Sequence, residues 1–370
     1  MYYVAIALII ISALCLNTQN SPLEYGEARV RINRKRFMVI VSLLFIILSG
    51  LRNRYVGIDT PNYEGMYLSI SNSSFSDIFH QLLSFSFFDA NDGAEPGYLL
   101  IEKILQSIHA PFQIFLVLIA CGFTIPLSIW IYKYSKRPLL SVMIYFCLFF
   151  SLYGTTALRQ TIAMAIAFFG GQACLRKKKL LSYMLCCIVA ATIHRSALAL
   201  IPFYFIAKIK WSKVKIAFSL LLIPVLFIFK GAFTSYLTGL AGYEGYGDYY
   251  EGAGTWTFSA LMIVILFVTF LYCEKLQEVN PENNYLISGQ VLACVLLPIT
   301  FIDPTNLRVV YYFAFNIILL IPELLEVSFD DKSKNLAEAI CCAVLFLLFA
   351  KGSIHYYFFW QNCTYEMVYF

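Results

Sequence analysis

Long apolar runs separated by short polar breaks make up the chain, and the runs are continuous rather than alternating. Runs over 2–17, 37–51, 112–132, 138–153, 157–175, 180–193, 196–207, 214–230, 256–273, 286–302, 307–327 and 337–353 predict about twelve helices that reach or approach bilayer length. The period-two pattern that a membrane barrel needs is missing from the sequence. Residues 98–108 are too few to cross and are expected to form a re-entrant or interfacial helix. Residues 180–207 hold His194, Arg195 and Ser196 at their middle, where a straight helix would leave them deep in lipid. That stretch is expected to enter, break near His194 and return.

Composition strengthens this pattern. The 370 residues are 60% hydrophobic and 13% charged, which is more apolar surface than a soluble domain can hide. The expected fold class is therefore all-α, a single polytopic membrane domain over residues 1–370. The net charge of +5 does not point to nucleic acid. Basic residues cluster at 29–36, 133–137, 176–179 and 208–215, in short loops where they set orientation. Placing those clusters in the cytoplasm puts both ends of the chain outside. The first run lacks a basic leader and a clear cleavage site, so it reads as a retained helix rather than a signal peptide. The eleven cysteines fall mostly inside apolar runs, with neither metal-site nor disulfide spacing.

On this orientation two long segments face outward. The first, near 52–111, opens on Arg52, Arg54, Asp59 and Tyr63 and contains Glu95 and Tyr98. The second, near 231–255, is rich in Gly and Tyr, residues suited to a mobile backbone and to flat amphipathic contacts with sugars or the interface. The aromatic tail 355–370 is expected to lie back on the outer surface.

The candidate chemistry comes from charge at membrane depth, which costs roughly 2.5–3.5 kcal/mol per group and is usually functional. Arg159, Arg195 and Arg308 each fall in the first turn of a helix that enters from outside. A helix start offers free N–H groups and partial positive charge, and an arginine adds a planar fork matched to phosphate oxygens. Thr155 or Thr156, and Thr305 or Asn306, are expected to cap two of these helices. With Arg52 and Arg54 the set predicts an anion pocket at headgroup level, suited to a lipid-linked phosphate or pyrophosphate. Arginines can hold the charge that grows on such a leaving group, and no metal motif or cofactor motif accompanies them. Asp59, Glu95 and His194 are the candidate general bases, and spacing alone does not rank them.

In order, the segments 54–63 (Arg-Tyr-Val-Gly-Ile-Asp-Thr-Pro-Asn-Tyr), 95–98 (Glu-Pro-Gly-Tyr), 158–165 (Leu-Arg-Gln-Thr-Ile-Ala-Met-Ala), 193–197 (Ile-His-Arg-Ser-Ala) and 307–313 (Leu-Arg-Val-Val-Tyr-Tyr-Phe) resemble the EpsG-type family. That family belongs with the Wzy-like polymerases of bacterial surface polysaccharides. Arg195 stands at the variable place of the family's Ile-His-x-Ser pattern. The resemblance implies a multi-span, metal-independent glycosyltransferase of the cytoplasmic membrane, active on its outer face. It would join polyprenyl-pyrophosphate-linked oligosaccharide units, donor and acceptor, with a chain-length regulator protein as a further partner. Donor pyrophosphate would then meet Arg159 and Arg308, with Arg52, Arg54 and Arg195 nearby. Tyr63, Tyr98, Gln160 and Tyr312 are expected to contact sugars. A lipid-linked oligosaccharide flippase or transporter, a glycosyltransferase using a monophosphate lipid sugar, and a polymer-modifying acyltransferase are the alternatives. Arginines gathered on one side argue against the transporter.

Overall fold

The computed structural model describes residues 1–18, 26–86, 94–229, 255–301, 306–350, 352 and 355–369. Residues 91–93, 231–254 and 303–305, parts of three expected polar segments, lie outside the described residues. Everything regular among the described residues is helical, apart from an isolated bridge between Arg52 and Phe358. In chain order the elements used below are α1 (Tyr2–Cys15), α2 (Glu27–Gly50), α3 (Thr60–Ser69), α4 (Phe75–Leu83), α5 (Pro96–Ser107), α6 (Phe112–Tyr134) and α7 (Pro138–Leu148). They continue with α8 (Leu158–Met164), α9 (Gly171–Arg176), α10 (Leu180–Ala191), α11 (Trp256–Val279), α12 (Asn283–Leu296), α13 (Leu307–Ala314), α14 (Ile317–Ser328) and α15 (Lys334–Ala350).

The all-helical expectation holds among the described residues, whereas twelve crossings are not confirmed there by length and composition. Phe112–Tyr134, Trp256–Val279 and Asn283–Phe301 are long and apolar enough to cross a membrane, and the pair α13–α14, bent by 43°, makes a fourth. The remaining runs fall short for physical reasons. The first half of α2 carries Glu27, Arg29, Arg31, Arg34, Lys35 and Arg36 before its apolar half begins at Phe37. The stretch around α8 is interrupted by wide π turns at Ser151–Thr156 and Ala165–Gly170. α1 has only 14 residues and α15 only 17. The expected short helix near 98–108 is present as α5, whose 12 residues reach about 18 Å.

The break at His194 is also present. α10 ends at Ala191, His194 is extended (φ −156°), and a 3-10 segment follows over Arg195–Leu200. The chain then returns along α10. The Tyr183 hydroxyl near the start of α10 donates to the Leu200 carbonyl at 2.6 Å, and the Tyr183 and Tyr204 rings lie 5.2 Å apart.

The chain forms two compact units, Met1–Ile78 with Leu99–Ala165 and Phe329–Phe370, and Phe79–Tyr98 with Ile166–Ser328. In the first, α2 packs along α6, and α7 packs on α15. Ser42 bonds Ser128 at 2.6 Å across the α2–α6 seam, the kind of polar contact that joins helices where lipid removes the hydrophobic drive. Arg137, at the start of α7, is buried against Glu338 (2.8 Å) and Asn335 (2.9 Å) of α15. In the second unit α12 packs on α11 and α13, and α10 packs on the 195–200 segment. Gln172 donates to Asn316 (3.3 Å) and Gln290 to the Met262 carbonyl (2.7 Å), so buried amides stitch the helices. Outward faces of α1 and α11 are apolar, with Leu8, Ile11, Val264 and Phe267 exposed, as a lipid-facing surface requires.

Candidate functional site

The sequence-predicted residues fall into two groups, one in each unit. The first unit holds Arg52, Arg54, Asp59, Tyr63, Arg159 and Gln160. The second holds Glu95, Tyr98, His194, Arg195, Arg308 and Tyr312.

In the first group the chain leaves α2 at Gly50 and turns sharply before α3. Arg52 is fully buried, and its guanidinium donates to the carbonyls of Ser49 and Val56 (the latter at 3.0 Å) and to the Thr60 hydroxyl at 3.5 Å. Desolvation pulls its pKa below the ordinary arginine value, to about 10. Arg52, a candidate pyrophosphate ligand by its position, fastens its own turn through these bonds. Arg54 is half exposed and pairs with Glu64 at 2.9 Å. Asp59 stands at the N-cap of α3, where its side chain makes no capping bond.

This turn is docked on the segment that leads into Arg159. Gly57 has φ +102°, and a Cβ there would run into the Thr155 carbonyl. The Thr60 hydroxyl donates to that same carbonyl at 3.1 Å. Arg159 is the second residue of α8, and its guanidinium lies 6.0 Å from the Tyr63 ring, at the outer limit of a cation–π contact. Tyr63 and Gln160 are buried. The expected threonine cap is not formed. The wide turn Ser151–Thr156 runs directly into α8, Ala157 takes the N-cap position, and the Thr155 hydroxyl bonds back to Ser151.

A strap from the far end of the sequence covers the turn. Phe359 N–H donates to the Leu51 carbonyl (3.0 Å), Asn53 N–H to the Tyr357 carbonyl (2.8 Å), and the Asn53 amide to the Gln361 carbonyl (2.8 Å). Gly57 N–H donates to the Tyr369 hydroxyl at 3.0 Å. The aromatic tail thus lies back on the chain as its composition suggested, and its target is the arginine-bearing turn.

The second group centres on the break. Glu95 is buried, lies 3.4 Å from His194 Nδ1, and accepts the Arg195 backbone N–H at 3.2 Å. A carboxylate at a helix start complements its partial positive charge, so Glu95 seats the returning segment. Gly97 N–H donates to the Thr192 carbonyl at 2.8 Å, and a Cβ on Gly97 would collide with Thr192, so this approach needs glycine. The Tyr98 side chain is fully buried. Arg195 is 7% exposed, with its guanidinium 5.0 Å from the Phe85 ring centroid. Arg308 is the second residue of α13, one helical turn before Tyr312 on the same face. The Ser196 hydroxyl donates to the buried Tyr312 hydroxyl at 3.4 Å, which turns that face toward the 195–200 segment. Asn306 stands at the N-cap of α13, but its amide donates to the Ile299 carbonyl and caps nothing.

Sequence reasoning passed over three features. Glu102, fully buried on α5, stands seven residues after Glu95, two helical turns on, a spacing visible in the sequence. Tyr67 follows Tyr63 by one turn of α3; burial and the neighbouring Glu102 raise its pKa above 10.0. The strap gave only its aromatic composition as a signal. Among the described residues no three His, Cys, Asp or Glu side chains come together as a metal site.

Apolar helices with outward apolar faces, and in the second unit a buried acid–imidazole pair at a break, define a helical membrane protein. The EpsG family pattern matches residues 35–365, most of the chain, and the chain belongs to the EpsG family. That family is associated with polysaccharide polymerase-like proteins, consistent with glycosyltransferase-like chemistry in polysaccharide biosynthesis. No curated protein matches the chain, and no solved structure does.

Proposed function

We propose that the protein is a polysaccharide polymerase that joins polyprenyl-pyrophosphate-linked oligosaccharide units at the outer face of the bacterial cytoplasmic membrane. The observation that carries this reading is the buried Glu95–His194 pair beside Arg195, in a chain of the EpsG family. Arg159 in the first unit and Arg308 in the second each offer a planar fork that suits phosphate oxygens. Arg54 adds an exposed positive charge. Arg52 serves by holding the turn that carries its neighbours.

In the reaction, a hydroxyl of the acceptor unit attacks the anomeric carbon of the donor chain. A new C–O bond forms there as the bond to the lipid pyrophosphate breaks, and the pyrophosphate leaves with the bonding electrons. The hydroxyl proton passes to the Glu95–His194 pair. The carboxylate orients the imidazole and stabilises its charged form. Arginine charge on the departing diphosphate does the work that a divalent cation does in other transferases. Tyr63, Tyr98, Gln160 and Tyr312 remain the candidates for sugar contacts.

The test is elongation of a purified lipid-linked repeat unit by the purified protein in the presence of a chelator. Long chains and released lipid pyrophosphate are expected. Absence of elongation, with repeat units moved across the bilayer of a proteoliposome instead, overturns the reading in favour of a flippase. Elongation that stops with chelator and resumes with a divalent cation overturns the metal-free step alone.

A further inference from the structure

The helix α4 has no part in the reaction above, and its pattern is unusual for this chain. Phe75, Phe79 and Leu83 recur at helical spacing and are 46%, 55% and 70% exposed. Ile78 is buried beneath them, while Ser76, Asp77, His80 and Gln81 occupy the other side of the helix. Nine residues span about 13.5 Å, too little to cross a bilayer. So short a helix is marginal alone, yet both of its ends are fixed. Ser74 N–H donates to the Asp77 carboxylate (3.2 Å) and Asp77 N–H to the Ser74 hydroxyl (3.1 Å), a reciprocal cap. The Ser84 hydroxyl closes the far end on the His80 carbonyl at 2.8 Å.

We propose that α4 lies flat in the membrane surface, with Phe79 and Leu83 in the boundary between headgroups and acyl chains. Lipid is the occupant because the exposed stripe belongs to a membrane protein and consists of aromatic and leucine side chains beside a polar face, the pattern of an interfacial helix. The helix carries Asp77 and no Lys or Arg, so attraction to anionic headgroups does not hold it. Lys103 Nζ, 5.7 Å from the Phe75 ring, marks the polar border of the stripe. Two residues past α4, Phe85 meets the Arg195 guanidinium at 5.0 Å. Lipid seating of α4 does not depend on which reaction the chain performs.

The test uses the full-length protein in phosphatidylcholine nanodiscs, with Phe79→Trp, Leu83→Trp and Gln81→Trp as separate variants at exposed positions. The added emission, taken as the difference from the parent protein, is read with and without brominated lipid. Blue-shifted emission quenched by bromine at positions 79 and 83, and water-like unquenched emission at 81, is expected. High salt should leave that pattern unchanged. Water-like emission at 79 and 83 overturns the proposal. So does blue-shifted emission that bromine does not quench, which would mean that protein, such as a second copy, covers the stripe.

Discussion

Replacing Gly57 by alanine tests how the arginine-bearing turn is built. At φ +102° the residue lies beyond the left-handed region that side chains tolerate, at a strain of about 1–3 kcal/mol. The new methyl also runs into the Thr155 carbonyl, which is backbone and cannot swing aside; such overpacking costs about 1–3 kcal/mol. The two together come to roughly 2–6 kcal/mol, against a typical domain stability of about 5–15. Gly57→Ala should therefore melt well below the parent in thermal unfolding followed by fluorescence in detergent. The Thr60–Thr155 bond lies on the same contact, so Arg159 should be displaced and elongation should fall with it. Gly65→Ala is the control. That glycine is exposed within α3 with open space around it, and alanine there should raise stability by about 0.5–1 kcal/mol. A Gly57→Ala protein that melts with the parent and elongates normally would refute the seating of the turn on Thr155.

Arg159→Ala and Arg308→Ala should each leave single repeat units on lipid without long chains, and lysine at either place should remain roughly tenfold or more below the parent. Normal chain-length ladders from both alanine variants would sink the polymerase reading. Glu95→Gln keeps an oxygen for the Arg195 amide but takes the negative charge from His194; elongation should fall about 10²-fold or more with little change in melting, and an unchanged rate removes the pair from the chemistry. Glu338→Ala leaves Arg137 buried without its carboxylate and should cost about 3–5 kcal/mol in an unfolding titration, a loss that Arg137→Met in the same chain should partly offset. A chain stopped after Ala350 lacks the strap and should neither melt at the parent temperature nor elongate; full activity from it would show that the turn stands unaided.

Patterns carried by adjacent residues were legible before any coordinates. Continuous apolar runs announced a helical membrane chain, and three polar residues inside one run announced the break at His194. The first-turn placement of Arg159 and Arg308 followed from the polar residues just before them. What failed depended on backbone detail. The burial of Arg52 was not legible, because nothing in its neighbours says that the Ser49 and Val56 carbonyls will close around it. Thr155 reads as a cap, because a wide turn running straight into α8 has no composition of its own. The number of crossings was not confirmed wherever a run of apolar residues was split by such turns or shared its helix with charge, as in α2. The pairing of Asn53 with Tyr357 and Gln361 joins residues some three hundred positions apart, beyond the reach of any local pattern.

That separation sets an order of events during synthesis. The turn around Arg52 emerges early, while residues 355–369, which hydrogen-bond to it, emerge after all of α1–α15. A nascent chain therefore waits with that turn uncovered until 355–369 arrive to accept and donate its hydrogen bonds.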